Sequence, residues 1–154
     1  MPAPVRTPVI PLLSVLASAM ASLLALGGAG CSRTSEPDAA ALEHRVPARL
    51  ETVSVDELDR MLASHDGQAV DANGIETRRR MGVIPGALLL TDADSIDKLP
   101  RDRSTRLVFY CANDACSSSH HAARKAIMAG YTRVQVMPDG IAGWVKAGKK
   151  TSSI

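Results

Sequence analysis

Aromatic residues are nearly absent from this 154-residue chain, at 3% of the composition. Phe109, Tyr110, Tyr131 and Trp144 are the whole set, and all lie in the last third. A core must therefore be built from Leu, Ile, Val, Met and Ala. An excess of charge of one sign is also missing: the formal net charge is +2, with Lys/Arg and Asp/Glu interspersed. No basic stripe is present, which argues against nucleic acid as a partner. No internal repeat is visible. The length suits one domain with a segment left over rather than two domains.

That extra segment is the N-terminus. Residues 1–30 contain no acid and one base, Arg6. Val9 to Leu26 is almost wholly apolar or small, and Gly27-Gly28-Ala29-Gly30-Cys31 follows. A charged start, an apolar stretch and a small-residue exit describe an export signal over residues 1–30. The alternative is a membrane-spanning anchor, since the stretch approaches spanning length. Pro11 and the small exit residues favour cleavage. Residues 31–47 are polar, small and Pro-containing, and read as a flexible tether. Residues 48–150 then suffice for one core.

Within that domain, Ser54 and Glu57 form a capping box, and Val55, Leu58, Met61 and Leu62 follow at helical spacing up to Gly67. Gln68 to Asp71 is a short apolar run ending in an acid. Glu76 to Met81 is charged and helix-prone, with Arg78, Arg79 and Arg80 read as an exposed face, and Gly82 ends it. Ile84 to Leu90 is a turn entering a strand, and Ser95 to Leu99 has the length of one helical turn. Arg106 to Tyr110 is the clearest buried strand. Ser118 to Ala129 is a helix with Ala122, Ala123, Ala126 and Ile127 inward and Gly130 as its stop. Arg133 to Met137 is a further strand, and Ile141 to Ala147 a last short helix carrying Trp144. Strands and helices alternating at this spacing predict an α/β fold with a central parallel sheet and helices on both faces. Ligands in such sheets bind at the carboxyl ends of the strands, where Asp71 and Cys111 fall.

The segment after the strand Arg106 to Tyr110 reads Cys111-Ala112-Asn113-Asp114-Ala115-Cys116-Ser117, then Ser118-Ser119-His120-His121. A small-residue loop entering a helix can turn its backbone N–H groups inward as an anion nest. A cysteine opening such a loop is expected to have a lowered pKa and to be a nucleophile.

The domain resembles a single-domain rhodanese over about residues 48–150. The resemblance is carried by Asp71, by Gly82-Val83-Ile84-Pro85-Gly86-Ala87, and by the strand Leu107 to Tyr110 with Cys111. The alanine-rich helix ending in Gly130-Tyr131, and Asp139-Gly140-Ile141-Ala142-Gly143-Trp144, complete it. It implies the family's three-layer fold and a sulfurtransferase in which Cys111 carries sulfane sulfur as a persulfide. The loop Ala112, Asn113, Asp114, Ala115 and Ser117 would hold the persulfide. Asp71 would be a structural acid. No metal and no organic cofactor is implied. The partners implied are a small sulfur donor and a thiol acceptor, which can itself be a protein. Gly28-Ala29-Gly30-Cys31 resembles the bacterial lipoprotein processing site, which implies lipidation of Cys31. The mature protein would then be exported and membrane-anchored, facing the periplasm or the cell exterior.

The chain departs from the family pattern in several places. Val83 replaces the family's histidine, and Asn73 stands where an arginine is frequent. The loop contains no base, whereas thiosulfate-using members carry one, and Asp114 adds an acid that disfavours a doubly charged donor. Ser117 stands where related phosphatase loops need an arginine. Cys116, five positions after Cys111, leaves three readings open. It is a resolving thiol, a structural cysteine, or a soft-metal ligand together with Cys111 and His120 or His121. A thiol–disulfide redox module on Cys111 and Cys116, and a non-catalytic rhodanese-like binding module, stand as alternatives to the enzyme.

Overall fold

A computed structural model describes residues 46–154. The expected export signal, Cys31 and most of the tether lie outside the described residues. Among the described residues no helix is long and apolar enough to cross a membrane.

Five strands and four helices alternate: β1 (Glu51–Thr52), α1 (Val55–Ala63), β2 (Gln68–Asp71), α2 (Ile75–Met81), β3 (Leu88–Leu89), β4 (Leu107–Tyr110), α3 (Ser118–Met128), β5 (Val134–Val136) and α4 (Gly140–Lys146). All pairings are parallel, in the order β1-β5-β4-β2-β3. β4 is central and buried along its whole length, which is why its sequence is a continuous apolar run.

Side chains alternate across the sheet and so build two cores. Val70, Leu107 and Phe109 face α3, whose Ala122, Ala123 and Ala126 let the helix approach closely. Ala69, Val108 and Tyr110 face α1 and α4 through Leu58, Ile141 and Trp144. The expected three layers are present. α1 starts as its sequence predicts: Glu57 N donates to Ser54 Oγ at 3.3 Å and Ser54 N donates to Glu57 Oε2 at 2.7 Å. Gly82 ends α2 at φ +75°, where a side chain would also strike Ser152 O. The Gly82 turn leads into a short antiparallel bridge between Val83 and Ser152.

Two elements differ from expectation. β1 has too few residues, both exposed, for its alternation to be readable, and it forms because Val53 N donates to Val136 O at 2.9 Å beside it. Ser95 to Leu99 makes turns instead of a helical one. The Asp92 carboxylate takes the N–H groups of Asp94 and Ser95 at 2.9 and 2.8 Å, competing with helix formation.

Candidate active site

The carboxyl ends of β2 and β4 meet at one edge of the domain. Asp71 and Tyr110 are in register, and Cys111 is the next residue. Register puts Asp71 and Tyr110 on one face of the sheet, while Cys111 follows Leu107 and Phe109 to the other. The two residues singled out at strand ends are therefore neighbours in the sheet, but their side chains serve different cores.

Asp71 is fully buried. Its Oδ1 accepts Asn73 N at 2.6 Å and Arg78 Nε at 3.2 Å. Arg78 also donates through Nη2 to Asp71 O and Leu90 O, at 3.0 and 2.8 Å. This corrects the expectation of an exposed arginine face. Arg79 and Arg80 are exposed, but Arg78 turns inward with 8% of its surface accessible. A single guanidinium holds the ends of β2 and β3 together. The arginine looked for at position 73 is in effect delivered from position 78, and three consecutive arginines gave no sign of which would be buried. Next to this pair, Tyr110 accepts Ile84 N at 3.0 Å, and burial and the Asp71 charge push its phenol far up.

On the other face, Cys111 is 2% exposed. Its Sγ lies 3.2 Å from Cys116 O, 3.3 Å from Ser119 Oγ and 3.9 Å from Asn113 O. Ser119, buried in the first turn of α3, is a site residue that sequence reasoning passed over among three serines. Only its depth separates it from Ser117 and Ser118. The loop is closed internally by Cys116 N to Asn113 O (3.1 Å) and Ala115 N to Asn113 Oδ1 (3.2 Å). It is fixed from outside by α4, whose Ile141 and Ala142 N–H groups donate to Cys111 O and Ala112 O at 2.8 and 3.0 Å. That approach requires Gly140. Its φ is +60°, and a Cβ there would lie 2.5 Å from Cys111 O.

The expected lowering of the Cys111 pKa does not occur. Burial, and hydrogen bonding to Cys116, push its thiol up, and Ser119 only partly offsets this. For the half-buried Cys116, burial raises the pKa but is outweighed. Hydrogen bonding with Cys111, and the N–H groups of Ala112 and Ser118, hold Cys116 below an ordinary thiol. The N–H groups of Ala112 and Ser118 thus serve the second cysteine, and the first has that of Ser119. Both thiols are free.

The nearby cations are engaged. Arg124 donates to Pro47 O and Ala48 O, both at 3.0 Å. His121 and Lys125 contact Asp94 at 2.9 and 3.0 Å, which holds the Asp94 carboxyl below the usual range. Among the described residues, no three His, Cys, Asp or Glu side chains gather as a metal site would require.

A parallel α/β sheet with a cysteine at the end of its central strand, wrapped by a short loop into a helix, defines a class of loop-cysteine domains. The family model of the Rhodanese-like domain matches residues 54–147, and the chain belongs to that family. No curated protein matches the sequence. Several solved structures are similar. A protein of unknown function from Rhodopseudomonas palustris, described as a possible tyrosine phosphatase, is 25% identical with a TM-score of 0.57. That match covers 73% of this chain and 92% of the other. A rhodanese-like domain protein from Staphylococcus aureus is 26% identical with a TM-score of 0.53, covering 68% of this chain and 100% of the other. The rhodanese-like domain of an Anabaena protein has the same fold at 22% identity and a TM-score of 0.57, covering 69% and 81%.

Proposed function

We propose that this domain is a sulfurtransferase that carries sulfane sulfur as a persulfide on Cys111, working in the cell envelope on a lipid anchor at Cys31. The observation that supports it most is the seating of Cys111. It ends the central strand of a rhodanese-like domain, inside a loop that α4 and Asn113 hold in shape.

The donor is a sulfane-sulfur compound of low charge, such as a persulfidated thiol or a short polysulfide, rather than thiosulfate. Residues 112–117 carry no base, and Arg124, His121 and Lys125 already hold partners. A dianion would meet Asp114 without a compensating cation. Phosphate monoesters are poor candidates for the same reason, because Ser117 cannot provide the bidentate clamp of an arginine. The acceptor is a thiol.

Cyanolysis tests the reading. The Cys116→Ser chain loaded with a persulfidated thiol is expected to yield thiocyanate, and the same chain with Cys111→Ser added is expected to yield none. Equal yields from the two would overturn it. A thiol–disulfide reading is favoured by one observation, the closeness of the two cysteines, with Cys111 Sγ 3.2 Å from Cys116 O. Two free thiols in the exported protein under oxidising conditions would count against it.

A further inference from the structure

Two thiols share this loop, and their surroundings differ. Cys111 Sγ lies among three oxygen atoms, Cys116 O at 3.2 Å, Asn113 O at 3.9 Å and Ser119 Oγ at 3.3 Å, with the Ser119 N–H beside it as well. Two of the three oxygens are carbonyls, which can only accept a hydrogen bond, and burial together with Cys116 favours S–H more than Ser119 favours a thiolate. Cys116 Sγ meets the N–H groups of Ala112 and Ser118, which only donate and so favour a thiolate. The Cys116 carbonyl lies against Cys111 Sγ at 3.2 Å, so the two cysteines sit side by side, and Cys116 is the more exposed.

From this arrangement we propose that the domain reduces sulfane sulfur to hydrogen sulfide: Cys116 displaces the sulfur carried by Cys111 as hydrosulfide and closes a Cys111–Cys116 disulfide. The proposal rests on the Cys111 persulfide reading. In the loading step, Cys111 passes its proton to Cys116 and attacks the outer sulfur of a persulfidated thiol, R–S–SH. The donor's S–S bond breaks, R–S⁻ leaves, and Cys111–S–SH forms. In the second step, the Cys116 thiolate, its proton lost to water, attacks the inner sulfur, Cys111 Sγ. The S–S bond of the persulfide breaks and HS⁻ leaves with its electron pair. The sulfane sulfur gains two electrons and the two cysteines lose two. An external dithiol then reduces the protein disulfide and becomes a disulfide itself. The net reaction turns R–S–SH and a dithiol into R–SH, hydrogen sulfide and the oxidised dithiol.

The choice of sulfur atom follows from the surroundings. Attack on the outer sulfur would only move it to Cys116, and would expel Cys111 as a thiolate among carbonyl oxygens. Attack on the inner sulfur expels hydrosulfide, the base of a stronger acid, and the weaker base leaves faster. The attacking group is the thiol that the amides hold ionised. Having it on the same loop makes the step intramolecular, ahead of any dissolved acceptor.

A single-turnover experiment decides the matter. The reduced full chain, freed of reductant, receives one equivalent of glutathione persulfide, and released sulfide and protein mass are followed together. The parent chain is expected to release about one sulfide per chain and to end with both thiols lost to a disulfide. Cys116→Ser should instead retain one added sulfur on Cys111 and release sulfide at least about tenfold more slowly. Cys116→Ala, with its melting curve, shows whether retention reflects the missing thiol rather than a disturbed loop. If the parent holds its persulfide as long as Cys116→Ser does, the inference fails and the Cys111 reading stands. If neither chain ever gains sulfur at Cys111, that reading fails and the inference with it.

Discussion

Replacing Arg78 with methionine would leave the Asp71 carboxylate buried without its cation. Breaking one side of such a pair costs about 3–5 kcal/mol. Urea unfolding should show a loss of that order, whereas Arg79→Ala, two-thirds exposed, should stay within about 0.5 kcal/mol of the parent. An equal effect at both positions would contradict the assignment. Sequence reasoning found the acid here and missed its partner, since burial of one arginine in a run of three is decided by tertiary register. The thiols make a second residue-scale prediction. Iodoacetamide should modify Cys116 with an inflection below that of an ordinary thiol, and Cys111 only at higher pH. Because Ser119 draws the Cys111 pKa down, Ser119→Ala should move the Cys111 inflection higher still. Peptide mapping across a pH series checks both directions.

At the scale of elements, α4 is a clamp on the active loop. Its first N–H groups hold Cys111 O and Ala112 O, and only glycine at 140 allows that contact. Gly148 provides the control: its φ of +72° is similar, but a Cβ there would meet nothing within 4 Å. Gly148→Ala should cost about 1–2 kcal/mol for the left-handed backbone alone. Gly140→Ala should cost more, because the loop must also move, and sulfur loading on Cys111 should fall with it. Thermal melts and loading yields would show this, and equal losses from the two variants would count against the clamp. Most elements were legible. The Ser54–Glu57 box, the apolar β4 and the alanine face of α3 each encode their structure locally. β1 was not legible, because two exposed residues have no pattern. The turns after Asp92 were misread because a side chain replaced the backbone bonds of a helix.

For the whole molecule, the alternating pattern was enough to predict a parallel sheet between helix layers. The strand order was beyond it, since that depends on pairings between distant segments. The same limit applied to the site. Cys111 and its loop could be found from one stretch of sequence, but the amides were expected to serve Cys111, and folding directs those of Ala112 and Ser118 to Cys116. The proposed envelope location makes the thiol pair meaningful, because oxidised and reduced forms are both accessible there. It predicts that Cys31→Ser abolishes incorporation of labelled fatty acid and releases the protein from the membrane fraction. Unchanged labelling would exclude Cys31 as the anchor.

The most direct measurement for the central claim is the mass of the Cys111 peptide in the Cys116→Ser chain after exposure to a persulfidated thiol. The account predicts one added sulfur, removed by cyanide. A Cys111 peptide of unchanged mass, in a chain shown to be folded, would contradict it.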